Sequence, residues 1–352
     1  MRRSLILVLL LVFTPSVFAR VRAVRITTPL QVPQADAIAG AALARGIPGI
    51  VVGVRKGNAF YTQAWGDFDV EAHVPEHPAI VHQIASLSKQ FTAAAILRLV
   101  EQGKVRLDDR LTQHLPELDA RFDDVTIERL LSHTSGLLRE FDDSIGDYYT
   151  AKTTAELIAA VPPPAVVPGT RFLYSNVGYF LLAVVIERAS NQTYEQFLRE
   201  EFFEPFGLED TSVCGSGGLV PEGYDRSSAT KLRPLAMSIF LGSGSLCSTA
   251  MDLLDWNNAL VGALAVTPPS YTRMTTPAVP SEPPPYAYGF GLLLDTFGGR
   301  RRIWHNGKLT GFNSHLSWFP DEQLTIAVLV NASDPLRDDA TQIANAIAQA
   351  MQ

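Results

Sequence analysis

Ser86-Leu87-Ser88-Lys89-Gln90-Phe91-Thr92-Ala93-Ala94-Ala95-Ile96-Leu97-Arg98-Leu99-Val100 is the stretch on which the fold turns. Its apolar residues fall nearly all round a 3.6-residue turn, so the spacing predicts a buried helix, and Gly103 stands where such a helix ends. Helical spacing puts Ser86 and Lys89 on one face of its first turn, about 5–6 Å apart at Cβ. A hydroxyl is a weak nucleophile without a neighbouring base. The N–H groups at a helix start favour an oxygen that gains negative charge, and burial lowers a lysine by up to about 3–5 units, towards working pH. Two readings of the pair stand at this point: a nucleophile with its base, or a helix-capping serine. A second Ser-x-x-Lys, Ser228-Ala229-Thr230-Lys231, runs into Leu232-Arg233-Pro234 and has no helix to carry it.

Towards the N-terminus, Gln34 to Ala44 reads as an alanine-rich helix, Pro48 to Val54 as a β-branched strand, and Ala59 to Trp65 as its hairpin return. Towards the C-terminus, helical segments run over Val125 to Leu131, Ala155 to Ala160, Gly178 to Ser190 and Ala250 to Leu260. Tyr288 to Phe297, Arg301 to Trp304, Gly311 to Phe319 and Leu324 to Asn331 then read as four strands, and Pro335 to Met351 as a closing helix. The expected class is α/β of the α+β kind. One antiparallel sheet, built from about 35–85 and 286–352, is flanked by helices, with a mainly helical lobe at about 86–260 inserted.

The 352 residues are 47% hydrophobic and 18% charged, which suits a globular chain with a large core. The net charge of -7, with no run of five Lys or Arg, lacks the field that draws a protein onto nucleic acid, so no nucleic-acid partner is expected. Arg2-Arg3, an apolar run from Leu5 to Phe13 and small residues ending at Ala19 read as a signal peptide over 1–19, leaving an exported, periplasmic or secreted domain at 20–352. That run is too short to span a bilayer, so no stable membrane anchor is expected; the export route, general or twin-arginine, stays open. Cys214 and Cys247 are either one disulfide or two buried thiols, and fall short of a structural zinc site.

Two further segments carry chemistry. Tyr174 and Asn176, in Arg171-Phe172-Leu173-Tyr174-Ser175-Asn176, precede a helix on a loop; a phenol can move a proton beside a lysine, and an asparagine offers both donor and acceptor. Trp304-His305-Asn306-Gly307 ends a strand, and Gly307 lets another backbone or a substrate come close, with the Lys308 N–H as a candidate oxyanion donor. Each segment alone also reads as ordinary structure: a core tyrosine, an Asn turn, a strand end.

Ser-x-x-Lys, Tyr-x-Asn and His-x-Gly in this order resemble the serine beta-lactamase and penicillin-binding-protein superfamily, in its class C beta-lactamase-like branch of exported esterases and peptidases. Leu130-Leu131-Ser132-His133-Thr134-Ser135-Gly136-Leu137 and Gly244-Ser245-Leu246-Cys247-Ser248-Thr249-Ala250 look like further landmarks of that family. The resemblance runs from about residue 35 to the C-terminus and implies a beta-lactamase/transpeptidase-like fold. It implies Ser86 as the acylated nucleophile, Lys89 as first base and Tyr174 as the group that protonates the leaving group and later activates water. Asn176 holds substrate and Lys89; His305, Asn306, Gly307 and Lys308 line the substrate strand, with the Ser86 and Lys308 N–H groups on the oxyanion. His305 replaces the lysine of class C lactamases, which weakens the cationic contact to a beta-lactam carboxylate or makes it pH-dependent.

The expected activity is therefore hydrolysis of a carboxyl ester, a D-amino-acid peptide or a beta-lactam through an acyl-enzyme, with esterase or peptidase placed ahead of lactamase. The rival is an inactive penicillin-binding-like binding or sensor module. The partner is a small-molecule or peptide substrate, no cofactor or metal is called for, and the oligomeric state is open. No glycine is followed two residues later by serine, which closes the Gly-x-Ser-x-Gly route. His73-Val74-Pro75-Glu76-His77 has metalloprotease spacing, but Pro75 and Pro78 argue against the helix that chemistry requires.

Overall fold

The structure, a computed structural model, describes residues 28–216, 222–278 and 286–352. The expected signal peptide lies outside the described residues. Among them, no helix is long and apolar enough to cross a membrane.

The β-branched run after Pro48 forms β1 (Gly49–Lys56), which turns back into β2 (Ala59–Asp69). Its side chains are buried on both faces. Ile50, Val52 and Val54 pack with α1 (Ala35–Leu43) and the C-terminal helix, whereas Val51 belongs to a second, larger core on the other side. Two covered faces account for an unbroken apolar run where a half-exposed strand would alternate.

That second core is built on α2 (Ser88–Glu101), α3 (Asn176–Ser190) and α4 (Ala250–Val261). Phe91 of α2 stacks on Trp256 of α4, centroids 4.0 Å apart, and α3 is buried from Val177 to Ile186. Full burial of each such large side chain stabilises by about 1.5–3 kcal/mol. Just before α4 lies the short strand β3 (Leu246–Ser248).

The main sheet is completed by β4 (Leu293–Phe297), β5 (Arg300–Leu309), β6 (Phe312–Phe319) and β7 (Leu324–Val330), and α5 (Asp339–Ala350) closes the chain against it. The strand order is β2-β1-β7-β6-β5-β4, every pair antiparallel, with Thr28–Pro29 added in parallel beyond β2 and Ala287–Tyr288 antiparallel beyond β4. A large antiparallel sheet flanked by helices is the expected α+β class.

Several local readings change. The strand expected over Tyr288 to Phe297 breaks between Tyr288 and Leu293, where Gly291, at φ +70°, lies so close to Lys89 that a Cβ would sit 2.6 Å from the Lys89 carbonyl oxygen. The strand expected to stop near Gly307 runs on to Leu309. The closing helix starts at Asp339 because the Asp338 side chain caps it through the Thr341 N–H. Cys214 and Cys247 form a disulfide, with Cα atoms 5.0 Å apart. Val74–Pro75 is a strand, and Glu76 pairs with buried His82 at 3.2 Å.

Candidate active site

Ser86 sits in a 3-10 turn, Ala85–Leu87, that runs directly into α2. Ala85 takes φ +48°, a left-handed conformation that costs a non-glycine residue on the order of 1 kcal/mol and presents the next side chain on a sharp corner. The substrate-strand candidate β5 lies against this corner. A Cβ on Gly307 would meet the Ile84 carbonyl oxygen at 2.3 Å and the Ala85 Cβ at 3.0 Å, so only glycine lets the two backbones come this close. Ser314 on β6 donates to the same Ile84 carbonyl at 2.7 Å. β4 pairs only with Arg300 to Trp304, so among the described residues His305 to Leu309 have no strand on that side. An open strand edge therefore borders Ser86.

Lys89 is wholly buried. Its Nζ lies 3.1 Å from Ser86 Oγ and donates to Asn176 Oδ1 and to the Ser243 carbonyl, each at 2.7 Å. Burial holds its pKa well below the usual lysine range; Glu140 pulls it back up and Arg139 pushes it further down. A neutral amine has two N–H groups and one lone pair. The two carbonyl acceptors use both N–H groups, which leaves the lone pair for the Ser86 O–H.

Tyr174 is half-buried and reaches the same atoms. Burial raises its pKa well above the ordinary phenol value, opposed by a hydrogen bond with Ser86 and by the charge of Arg139, so at neutral pH it is a protonated donor. Lys89 Nζ lies 4.8 Å and the Arg139 guanidinium 5.0 Å from its ring centroid. Asn176 opens α3 under a Ser175 cap, and while its Oδ1 accepts from Lys89 its Nδ2 donates to Glu140 Oε1 at 2.6 Å. Ser86, Lys89 and Asn176 are thus one hydrogen-bonded cluster, with the Tyr174 ring against Lys89.

His305 is buried beside it. Its Nδ1 donates to the Asn306 carbonyl at 2.6 Å and its Nε2 accepts from the Tyr288 hydroxyl at 3.2 Å. Burial, and then the charge of Lys89, push its pKa down to about 3, so the imidazole is neutral at physiological pH. Asn306 and Lys308 point to the opposite face from Gly307, as strand alternation requires. The Asn306 amide donates to Asp338, and the Lys308 ammonium to the carbonyls of Asp334, Pro335 and Arg337. Only the backbone of these two residues borders Ser86.

Sequence reasoning missed four participants. Ser243 acts through its carbonyl, which no residue type announces; Arg139 and Glu140 lie on a loop with no periodicity; and His133 was visible only as a landmark. The second Ser-x-x-Lys is a turn: Ser228 Oγ donates to Asp225, and Lys231 pairs with Glu222 at 3.2 Å.

Comparison with known proteins follows the same lines. A family model described as Beta-lactamase matches residues 35–351. A D-aminopeptidase of Gluconobacter oxydans (strain 621H) is 26% identical over 308 residues, covering 84% of this chain and 58% of that protein. The chain therefore spans about three fifths of the length of this curated relative. Among solved structures, the octameric penicillin-binding protein homologue from Pyrococcus abyssi superposes with a TM-score of 0.80 at 26% identity, covering 92% of this chain and 78% of that one. The D-amino acid amidase from Ochrobactrum anthropi SV3, complexed with D-phenylalanine, gives a TM-score of 0.80 at 23% identity over 91% and 99% of the two chains, a likeness of fold.

Proposed function

Since the chain belongs to the beta-lactamase family, we propose that it is a serine hydrolase that forms an acyl-enzyme on Ser86 and acts on amides or peptides with a free amino group, D-amino-acid derivatives first among them. The observation that carries this reading is the buried Lys89 nitrogen, 3.1 Å from Ser86 Oγ and 2.7 Å from the carbonyl oxygens of Asn176 and Ser243, so that in its neutral form the lone pair falls to Ser86.

Ser86 Oγ attacks the substrate carbonyl carbon while its proton passes to Lys89 Nζ. The oxyanion is held by the N–H groups of Ser86 and Lys308, each such donor worth roughly 2.7–4 kcal/mol of barrier. The C–N bond breaks as Tyr174 gives its proton to the departing nitrogen, and the Lys89 ammonium restores the proton to the phenolate. Water then attacks the ester, losing its proton to the same pair, and Ser86 regains its proton as the acid leaves.

Two charges narrow the substrate. On the substrate strand His305 is neutral and the Lys308 ammonium is turned to the other face, so the face beside Ser86 offers no cation to a beta-lactam or peptide carboxylate. Glu140 spends one bond on the Asn176 amide and lies 3.5 Å from Arg139 Nε, which leaves lone pairs on a partly exposed carboxylate for a substrate ammonium. A D-aminopeptidase among the relatives and a D-amino acid amidase among the neighbours in fold support the same class. The expected order of kcat/KM is D-phenylalanine amide above its L-enantiomer, and either above the N-acetyl derivative by tenfold or more, with Glu140→Gln erasing the last difference. Equal rates on free and N-acetylated amides would remove the aminopeptidase reading and leave an unspecialised hydrolase. Export, expected from the N-terminal 19 residues, belongs to the same proposal and is checked by N-terminal sequencing of the protein recovered outside the cytoplasm.

A further inference from the structure

His133 follows α-helical Ile127–Leu131 and sits at φ +56°, a conformation few non-glycine residues adopt, with its side chain wholly buried. Its contacts converge on Tyr174. The His133 carbonyl accepts the Leu173 N–H at 2.7 Å, and its Nδ1 accepts the Ser175 N–H at 3.0 Å, so the residue grips the chain on both sides of the tyrosine. Its ring also lies against the Tyr174 ring, centroids 4.2 Å apart and planes 34° from parallel. Tyr179 and Tyr288 pack on the imidazole at 5.0 and 4.7 Å and fix it in turn.

A neutral imidazole that accepts at Nδ1 must carry its proton at Nε2, and Nε2 is buried with no partner among the described residues. A buried donor left unsatisfied works against the fold, so the ring is held where Nδ1 is needed at the expense of Nε2. Burial first, and then the positive charge of Arg139 and the charge that Lys89 or His305 carries when protonated, keep the pKa of His133 well below the usual histidine range. Protonation would put an N–H where the acceptor must be; the groups facing the ring keep that from happening.

We propose that His133 is a positioning residue for the leaving-group step: its Nδ1 hydrogen bond to the Ser175 N–H, with its ring as a platform, sets the Tyr174 hydroxyl at Ser86. The proposal rests on the role given to Tyr174 above. It has a signature that loss of stability lacks. An amine cannot leave unless it is protonated, whereas p-nitrophenolate leaves as the anion, so misplacing Tyr174 slows amides and spares activated esters.

The test is the ratio of kcat/KM for a D-aminoacyl p-nitroanilide to that for the matching p-nitrophenyl ester, with rates normalised to sites titrated by a fluorophosphonate. His133→Asn keeps an acceptor at the δ position and His133→Gln moves it one atom further out. The expected result is a ratio within threefold of wild type for His133→Asn and a fall of about 10²-fold for His133→Gln. Tyr174→Phe should lower the ratio by at least as much, and His133→Gln added to it should change the ratio less than twofold. Equal ratios in the Asn and Gln variants, or equal losses on both substrates in His133→Gln, overturn the proposal. If His133→Gln gives no titratable sites, His133→Asn decides alone: a fall of tenfold or more in its ratio overturns the proposal. If Tyr174→Phe loses both substrates equally, the role given to Tyr174 fails first, which separates the two failures.

Discussion

Replacing Glu140 by Gln should move the acid limb of the kcat/KM profile for a neutral ester downward by about one pH unit. Gln keeps an oxygen to accept from Asn176 and removes only the charge. The two hydrogen bonds through Asn176, 2.7 and 2.6 Å long, and the width of one amide place the Lys89 nitrogen about 7 Å from the carboxylate. At an effective dielectric of about 20 that pair is worth about 2.4 kcal/mol; Glu140 is 39% exposed, and solvent screening reduces this by about half, close to one pKa unit. The sign follows from the base role. Glu140 favours the Lys89 ammonium, so removing it lowers the lysine pKa and the neutral amine persists to lower pH. Arg139→Gln should move the limb the other way and by less, because that side chain is 67% exposed. The assay is p-nitrophenyl acetate hydrolysis across the acid range, corrected for spontaneous hydrolysis; this substrate has no ammonium for Glu140 to bind, so the acid limb reads its effect on Lys89. A limb that stays in place or moves to higher pH in Glu140→Gln refutes the assignment of Lys89 as the titrating base.

Other groups give independent tests. The disulfide joins residues 33 apart, and opening that loop in Cys214→Ser with Cys247→Ser should cost about 3–4 kcal/mol, read as a lower urea midpoint; an unchanged midpoint contradicts it. Asp252 is buried and its carboxyl is pushed up to about 6, mainly by burial and against hydrogen bonds from Thr211 and the Asp210 N–H. Its contribution to stability is full below the unfolded value of about 3.9 and is lost as pH rises through 6, a cost of about 2–3 kcal/mol that Asp252→Asn should remove from the pH dependence of urea unfolding; an identical pH slope in the variant counts against it.

The sequence carried the parts of this fold that depend on periodicity. The all-round apolar helix after Ser86, the doubly covered run at 49–54 and the C-terminal strands follow from where apolar residues recur. It also carried the side chains that meet at Lys89, because Ser-x-x-Lys and Tyr-x-Asn each sit at a helix start. What it could not show depends on atoms brought together over long separations. Ser243 contributes a carbonyl 154 residues from Lys89, Gly291 matters because its backbone touches that of Lys89, and the left-handed turn at Ala85 leaves no mark in residue type. The His-x-Gly segment was legible as a strand against the site, but the direction of each side chain on it was not. Asn306 and Lys308 face α5 and its preceding turn because Gly307 must face Ile84, a register set by the pairing of β5 with β6.

Fluorophosphonate labelling with intact-mass and peptide mapping shows whether Ser86 is a nucleophile activated by Lys89. One adduct per chain is expected, on Ser86, absent in Ser86→Ala and formed at least about 10²-fold more slowly in Lys89→Met. An adduct on another residue, or labelling of Ser86 at an undiminished rate without Lys89, contradicts it.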